Sequence, residues 1–153
     1  TEESCGKCTP CREGLRTSLD TLERITQGKG VPADMELLQE MAEVMQDCCL
    51  CALGTSAPNP VLSTIRYFKD EYEAHIKDHV CPGGVCKELI EYKIDAEKCN
   101  GCHLCFRGCS VAAISGEVKK THTLDKAKCI KCGACIEACK QEAIRKVPRS
   151  YAA

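Results

Sequence analysis

Two segments, KCNGCHLCFRGCS at residues 98–110 and KCIKCGACIEACK at residues 128–140, decide how this chain is read. Each has the cysteine spacing C-x2-C-x2-C-x3-C: Cys99, Cys102, Cys105 and Cys109, then Cys129, Cys132, Cys135 and Cys139. Three thiolates so closely spaced can grip three corners of one cubane iron–sulfur cluster, while the fourth is thrown past it. Each quartet should therefore lend its last cysteine to the other cluster. Cluster one then falls to Cys99, Cys102, Cys105 and Cys139, and cluster two to Cys129, Cys132, Cys135 and Cys109. Such crossing makes the two halves one folding unit that needs its metal. Zinc ribbons or disulfides would also use many cysteines, but zinc takes four ligands per site and gains nothing from interlocked sets of eight.

Moving outward, a shift of thirty residues superposes Ile94 on Leu124, Asp95 on Asp125, Lys98 on Lys128, all four cysteines, and Ile114 on Ile144. A duplicated one-cluster unit leaves this kind of repeat behind. The stretch resembles the bacterial ferredoxins with two [4Fe-4S] clusters. It departs from them after the fourth cysteine of each quartet, where Ser110 and Lys140 stand in place of proline. The ligands are untouched, and Lys140 places a positive charge beside cluster one that favours its reduced form. Glu91–Asp95 and Thr121–Asp125 read as short strands, and Val111–Ser115 and Gln141–Lys146 as helical or turn segments closing each half.

Upstream, TEESCGKCTPCREG at residues 1–14 repeats the spacing with Cys5, Cys8 and Cys11. Thr9 reads as a helix N-cap and Pro10 as the first helical position, which would aim the helix's positive end at whatever the thiols hold. Leu15, Leu19, Leu22 and Ile25 continue at helical spacing to Gly28. A second helix starts at Pro32 and Asp34 with Met35, Leu38, Met41, Ala42 and Met45 on its apolar face; methionines so spaced are core filler. Asn59-Pro60 opens a third, carrying Val61, Leu62, Ile65, Phe68, Tyr72 and Ile76. Three amphipathic helices with short loops predict a small bundle over residues 10–79.

The triplet needs a fourth ligand, and the turn Asp47-Cys48-Cys49-Leu50-Cys51-Ala52-Leu53-Gly54 offers Cys51. The combination of E-S-C-G-K-C-T-P-C-R-E-G with L-C-A-L-G and A-P-N-P resembles the C-terminal cluster domain of the NADH-binding subunit of respiratory complex I. The same domain occurs in diaphorase subunits of NAD-linked iron hydrogenases and formate dehydrogenases. The resemblance implies a third [4Fe-4S] cluster on Cys5, Cys8, Cys11 and Cys51, with zinc as the competing occupant. Cys48 and Cys49 are then spare, more in keeping with small apolar fillers than with ligands.

Between the regions runs HIKDHVCPGGVC, residues 75–86. His75 and His79 share a helix face, and Cys81 and Cys86 flank a Pro-Gly-Gly turn. This is a candidate zinc site on His75, Cys81 and Cys86, its fourth ligand open among His79, His122, Cys48 and Cys49. A reduced thiol pair, a disulfide or surface histidines are the plainer alternatives.

The expected architecture is α+β: a helical [4Fe-4S] domain at 1–79, a linker at 80–93 that holds the zinc site and is mobile about Pro82-Gly83-Gly84, a ferredoxin-like two-cluster domain with short strands at 94–147, and a frayed tail at 148–153.

Composition fits. Sixteen cysteines in 153 residues would suit a secreted disulfide scaffold in a shorter chain, but C-x2-C clustering points to metal binding in a reducing cytoplasm. No apolar run reaches the length of a membrane span. The net charge of −1 hides an acidic first half and a basic second half. An oxidised four-thiolate cubane carries about −2. The lysines therefore balance clusters rather than bind nucleic acid.

No nucleophile–base pair, phosphate-cradling loop or G-x-G-x-x-G fingerprint is present, so the reading is electron transfer without a substrate site. The tandem arrangement is similar to the beta subunit of multimeric, often electron-bifurcating, iron hydrogenases. That resemblance implies a C-terminal piece of a longer subunit, with FMN and NAD(P)H bound on the missing part. It also implies other subunits of the complex, or soluble ferredoxin, as partners. The same relay in an NAD-dependent formate dehydrogenase or NADH dehydrogenase, and a zinc-stapled non-redox interaction module, are the alternatives.

Overall fold

A computed structural model describes residues 1–149, and the protein is α+β, in two compact units that meet in sequence at Leu89 and Ile90. Residues 150–153 of the expected tail lie outside the described residues.

The first unit is helical. Helix α1 (Thr9–Thr26) carries Pro10 in its first turn, where a missing N–H costs nothing. Its N-cap is Cys8 rather than the expected Thr9. The helix therefore opens one residue earlier, directly on the thiol. Its buried face runs through Cys11, Gly14, Thr21 and Ile25, whereas Leu19 is 43% exposed, so the leucine stripe overstates the core. Helix α2 (Ala33–Cys48) buries Leu38, Ala42 and Met45 as expected. The Asp34 carboxylate, itself buried, accepts the Val31 N–H at 2.9 Å and pairs with Arg24 of α1, tying the two helices at one end.

A short helix α3 (Ala52–Ser56) follows the cysteine turn. The expected third long helix is broken: α4 (Asn59–Tyr67) ends at Phe68, whose backbone (φ −128°, ψ 36°) is not helical. A five-residue helix α5 (Lys69–Glu73) then runs into a π-helical turn at Ala74–Asp78. His79 closes this turn with φ 52°, and π-turns often mark functional positions. Ile25, Leu38, Ile65 and Ile76 form the core, flanked by Leu22, Met35, Val61 and Tyr72.

The second unit begins with β1 (Ile90–Ile94) and contains α6 (Leu104–Arg107), β2 (Ile114–Ser115), β3 (Thr123–Leu124), α7 (Ala134–Ala138) and β4 (Ile144–Pro148). β1 pairs antiparallel with β4, Ile94 opposite Ile144, and β2 with β3, Ile114 opposite Leu124. Each repeat thus closes on the other. The segments expected as helical or turn closures are instead turns that run into β2 and β4. Their partner strands lie in the opposite repeat, a pairing that local propensity cannot reveal.

The duplication extends to fine detail. Asp95 N–H donates to Ala143 O and Asp125 N–H to Ala113 O, both at 2.7 Å. Ala112 and Glu142 share positive φ values of 49° and 48°, turning the chain behind each fourth cysteine. The core consists of Ile90, Tyr92, Cys105, Ile114, Cys135 and Ile144, so two of its six members are thiols.

Candidate metal and cluster centres

In the second unit the thiols gather in crossed sets. Cys99, Cys102, Cys105 and Cys139 line one small cavity, with His103, His122 and Ile144. Cys109, Cys129, Cys132 and Cys135 line its counterpart, with Tyr92, Ile114 and Ala134. The fourth cysteine of each quartet therefore stands in the other quartet's cavity. Backbone amides support both crossing thiols: Ala113 N–H donates to Cys109 Sγ at 3.2 Å and Ala143 N–H to Cys139 Sγ at 3.4 Å.

Burial pushes the Cys105 thiol up, opposed by the Phe106 N–H and reinforced by Cys139, Cys99 and Cys102. Burial, with Cys129, also pushes Cys135 up to about 11. Cys105 and Cys135 therefore resist ionising until a cation joins them, and coordination deprotonates a thiol outright. An iron–sulfur core fits this donor chemistry.

In the first unit, Cys8, Cys11 and Cys51 lie about Cys49. The Cys49 thiol is raised by burial first, then by Cys11, Cys8, Cys51 and Cys48. Cys11 is buried; Cys5 and Cys51 are exposed. Ser4 Oγ lies 3.3 Å from Cys11 Sγ and accepts the Gly6 N–H, shaping the loop. A Cβ on Gly54 would stand 2.6 Å from Cys49 Sγ and 3.4 Å from Cys11 Cβ, so glycine lets α3 close over the thiols. Spacing alone does not reveal this contact, because it depends on how α3 folds back over the turn.

The segment after the π-turn forms a different kind of site. The donor atoms of His75, Cys81 and Cys86 all lie within 4.8 Å of one another, and among the described residues this is the only such group of three. It does not include His79, Cys48 or Cys49; His122 lies in the second unit, engaged with His103. The His75 Nδ1–H donates to Glu71 O at 2.6 Å, leaving Nε2 toward Cys86 Sγ at 3.3 Å. A ligating histidine is held this way, its second nitrogen anchored to a carbonyl. At Cys81 burial acts upward but is outweighed by hydrogen bonds, chiefly from the Cys86 and Val85 amides, bringing the thiol to about 7. Cys86 is pushed up to about 11 by burial and then by Cys81. The donor set suits one compact divalent ion.

The twelve other candidate thiols are spaced differently. Four sulfurs about one zinc at about 2.3 Å would stand some 3.8 Å apart. No three of these twelve come within 4.8 Å of one another, and a cubane, with iron at every other corner and one thiolate on each iron, spans wider ligands.

Residues 1–75 match the family described as NADH-ubiquinone oxidoreductase-F iron-sulfur binding region, and residues 91–140 match the 4Fe-4S dicluster domain. The NADP-reducing hydrogenase subunit HndC of Solidesulfovibrio fructosivorans is 51% identical over 121 residues, covering 79% of this chain and 25% of the relative. The F chain of NADH-quinone oxidoreductase from Streptomyces coelicolor is 45% identical over 80 residues, 52% of this chain and 18% of the relative. The chain therefore spans a quarter or less of these relatives' lengths. A crystal structure of an NAD+-reducing [NiFe]-hydrogenase in the H2-reduced state is similar at 33% identity and TM-score 0.48, over 74% of this chain and 19% of that one. No helix among the described residues is long and apolar enough to cross a membrane.

Proposed function

Because the chain joins an NADH-ubiquinone oxidoreductase-F iron–sulfur binding region to a 4Fe-4S dicluster domain, we propose that it is the three-cluster electron relay of an NAD(P)-linked, electron-bifurcating hydrogenase. The relay runs between a flavin and NAD(P)H site, on protein outside this sequence, and a hydrogenase or ferredoxin partner. Bound cubanes supply one-electron redox chemistry. The chain supplies thiolates, burial and amide hydrogen bonds: Cys5, Cys8, Cys11 and Cys51 for the first cluster; Cys99, Cys102, Cys105 and Cys139 for cluster one of the repeat; Cys129, Cys132, Cys135 and Cys109 for cluster two. His75, Cys81 and Cys86 hold a structural zinc in the segment joining the helical domain to the two-cluster domain.

The observation that carries this reading is the gathering of the two quartets into crossed cavities, four thiols to each. A hydrogenase-type subunit is favoured over an NADH dehydrogenase because the HndC match runs over 121 residues, whereas the NADH-quinone oxidoreductase match covers 80.

Metal and acid-labile sulfide analysis of air-free protein tests all four sites together. The expected result is about twelve irons, about twelve sulfides and one zinc per chain. Four or five zincs without sulfide would leave a zinc-stapled interaction module. Co-purification with a catalytic subunit that evolves hydrogen, rather than one that oxidises formate, checks the choice of complex.

A further inference from the structure

The thirty-residue repeat puts Tyr92 and His122 at equivalent positions, and the two differ in what they offer the neighbouring thiols. Tyr92 is buried beside Cys129, Cys132 and Cys135, but its hydroxyl donates to the carbonyl of Lys131 at 3.3 Å. Its one proton is spent on backbone.

His122 is only 2% exposed and sits in the cavity of the first set. Its Nε2 lies 2.8 Å from His103 Nδ1, and its Nδ1 lies 3.9 Å from Cys99 Sγ. One proton occupies the short bond between the rings. If His122 Nε2 carried it, the neutral ring would present an Nδ1 lone pair to a thiolate, a repulsive contact in a buried site. If His103 Nδ1 carries it, His122 accepts at Nε2 and turns an Nδ1–H toward the sulfur. The second arrangement gives both nitrogens of His122 a partner, as in the relays that fix the tautomer of a histidine near a metal.

The surrounding chain holds His122 there. Gly116 (φ 150°) packs so tightly that a Cβ would stand 2.9 Å from His122 Cα and Cδ2. Lys119 N–H donates to Gly101 O at 3.0 Å, and a Cβ on Gly101 would stand 2.5 Å from Lys120 N, closing the 116–122 loop over the first cysteine turn. His103 is stacked on Phe106 with ring centroids 4.2 Å apart.

We propose that His122, oriented by His103, is a positioning residue that donates Nδ1–H to the Cys99 thiolate and raises the reduction potential of cluster one above that of cluster two. A hydrogen bond to a ligating sulfur stabilises the more negative, reduced state. Duplication thus left two like ligand sets, and a histidine at 122 where the other repeat has Tyr92, with His103 where it has Gly133, makes their surroundings unequal. The inference rests on a cluster occupying the set Cys99, Cys102, Cys105 and Cys139.

Leucine and asparagine have nearly the same shape, and only asparagine keeps an N–H where His122 has Nδ1. In the air-free, cluster-loaded chain, with iron and sulfide counted first, EPR-monitored redox titration of His122→Leu should move the potential of cluster one to more negative values. Cluster two should stay in place, and His122→Asn should restore most of the shift. Equal cluster-one potentials in the two variants would overturn the role of His122 while leaving the relay intact; a low sulfide count would instead sink the relay. Should the leucine variant fail to load, ring-15N-histidine labelling of the unsubstituted protein gives the second readout. Nitrogen hyperfine coupling is expected at reduced cluster one and not at cluster two, and its absence at cluster one would overturn the proposal.

Discussion

The two units hold their thiols in opposite ways. In the C-terminal unit thiols belong to the core: Cys105 and Cys135 are buried among Ile90, Tyr92, Ile114 and Ile144, and no strand among the described residues exceeds five residues. In the helical unit, helices of 18 and 16 residues close on Ile25, Leu38, Ile65 and Ile76, and no thiol belongs to that core. Thiols there sit at helix ends: Cys8 caps α1, and Cys49 and Cys51 follow α2. We infer that clusters would fold the C-terminal unit, whereas the helical unit would fold without them and carry its own.

Metal removal gives the largest predicted contrast. Anaerobic chelation should unfold residues 90–149, since a site that does not pre-exist in the unfolded chain returns its binding energy as folding energy. Helices α1 and α2 should persist. Hydrogen-exchange mass spectrometry resolves the two regions, and amide protection that survives across β1 and β4 in the iron-free protein would break the contrast.

Single ligand changes come next. Cys139→Ser should abolish the EPR signal of cluster one and spare cluster two, and Cys109→Ser should do the reverse, because each thiol lines the cavity of the other repeat. Loss confined to the substituted residue's own quartet would refute crossing. In the helical unit Cys51→Ser should remove the N-terminal cluster, whereas Cys49→Ser should keep it with weakened packing against Gly54. Equal losses would make Cys49 a ligand rather than packing.

The same contrast explains which features are legible in the sequence. The quartets can be read because three of the four thiols lining each cavity lie three residues apart, so for those three chemistry and sequence share one length scale. The α2 face of Leu38, Ala42 and Met45 follows from period alone. Three features are out of reach. The break at Phe68 gives way to a π-turn that brings His75 to Cys86, a demand made by residues eleven positions on. Strands β2 and β4 exist only through partners in the opposite repeat. Finally, His122 reads in the sequence as a candidate zinc ligand, and only its placement against His103 and Cys99 shows what its ring faces.

The smallest expected effect sharpens the comparison from the other side. Leu38 is 1% exposed in the thiol-free core, and Leu38→Ala should cost about 2–5 kcal/mol through lost burial and the cavity left behind. If helix packing holds that unit together, the loss should appear in its thermal unfolding with the N-terminal cluster still loaded, since Leu38 is not among the thiol contacts at Gly54. Ile144→Ala removes a similarly buried side chain in the C-terminal unit, next to the cavity of cluster one. Metal–thiolate bonds there outweigh one side chain, so its unfolding should track cluster loss rather than precede it. A Leu38→Ala protein that sheds its N-terminal cluster before its helices melt would mean that the helical unit, too, is held by its cofactor.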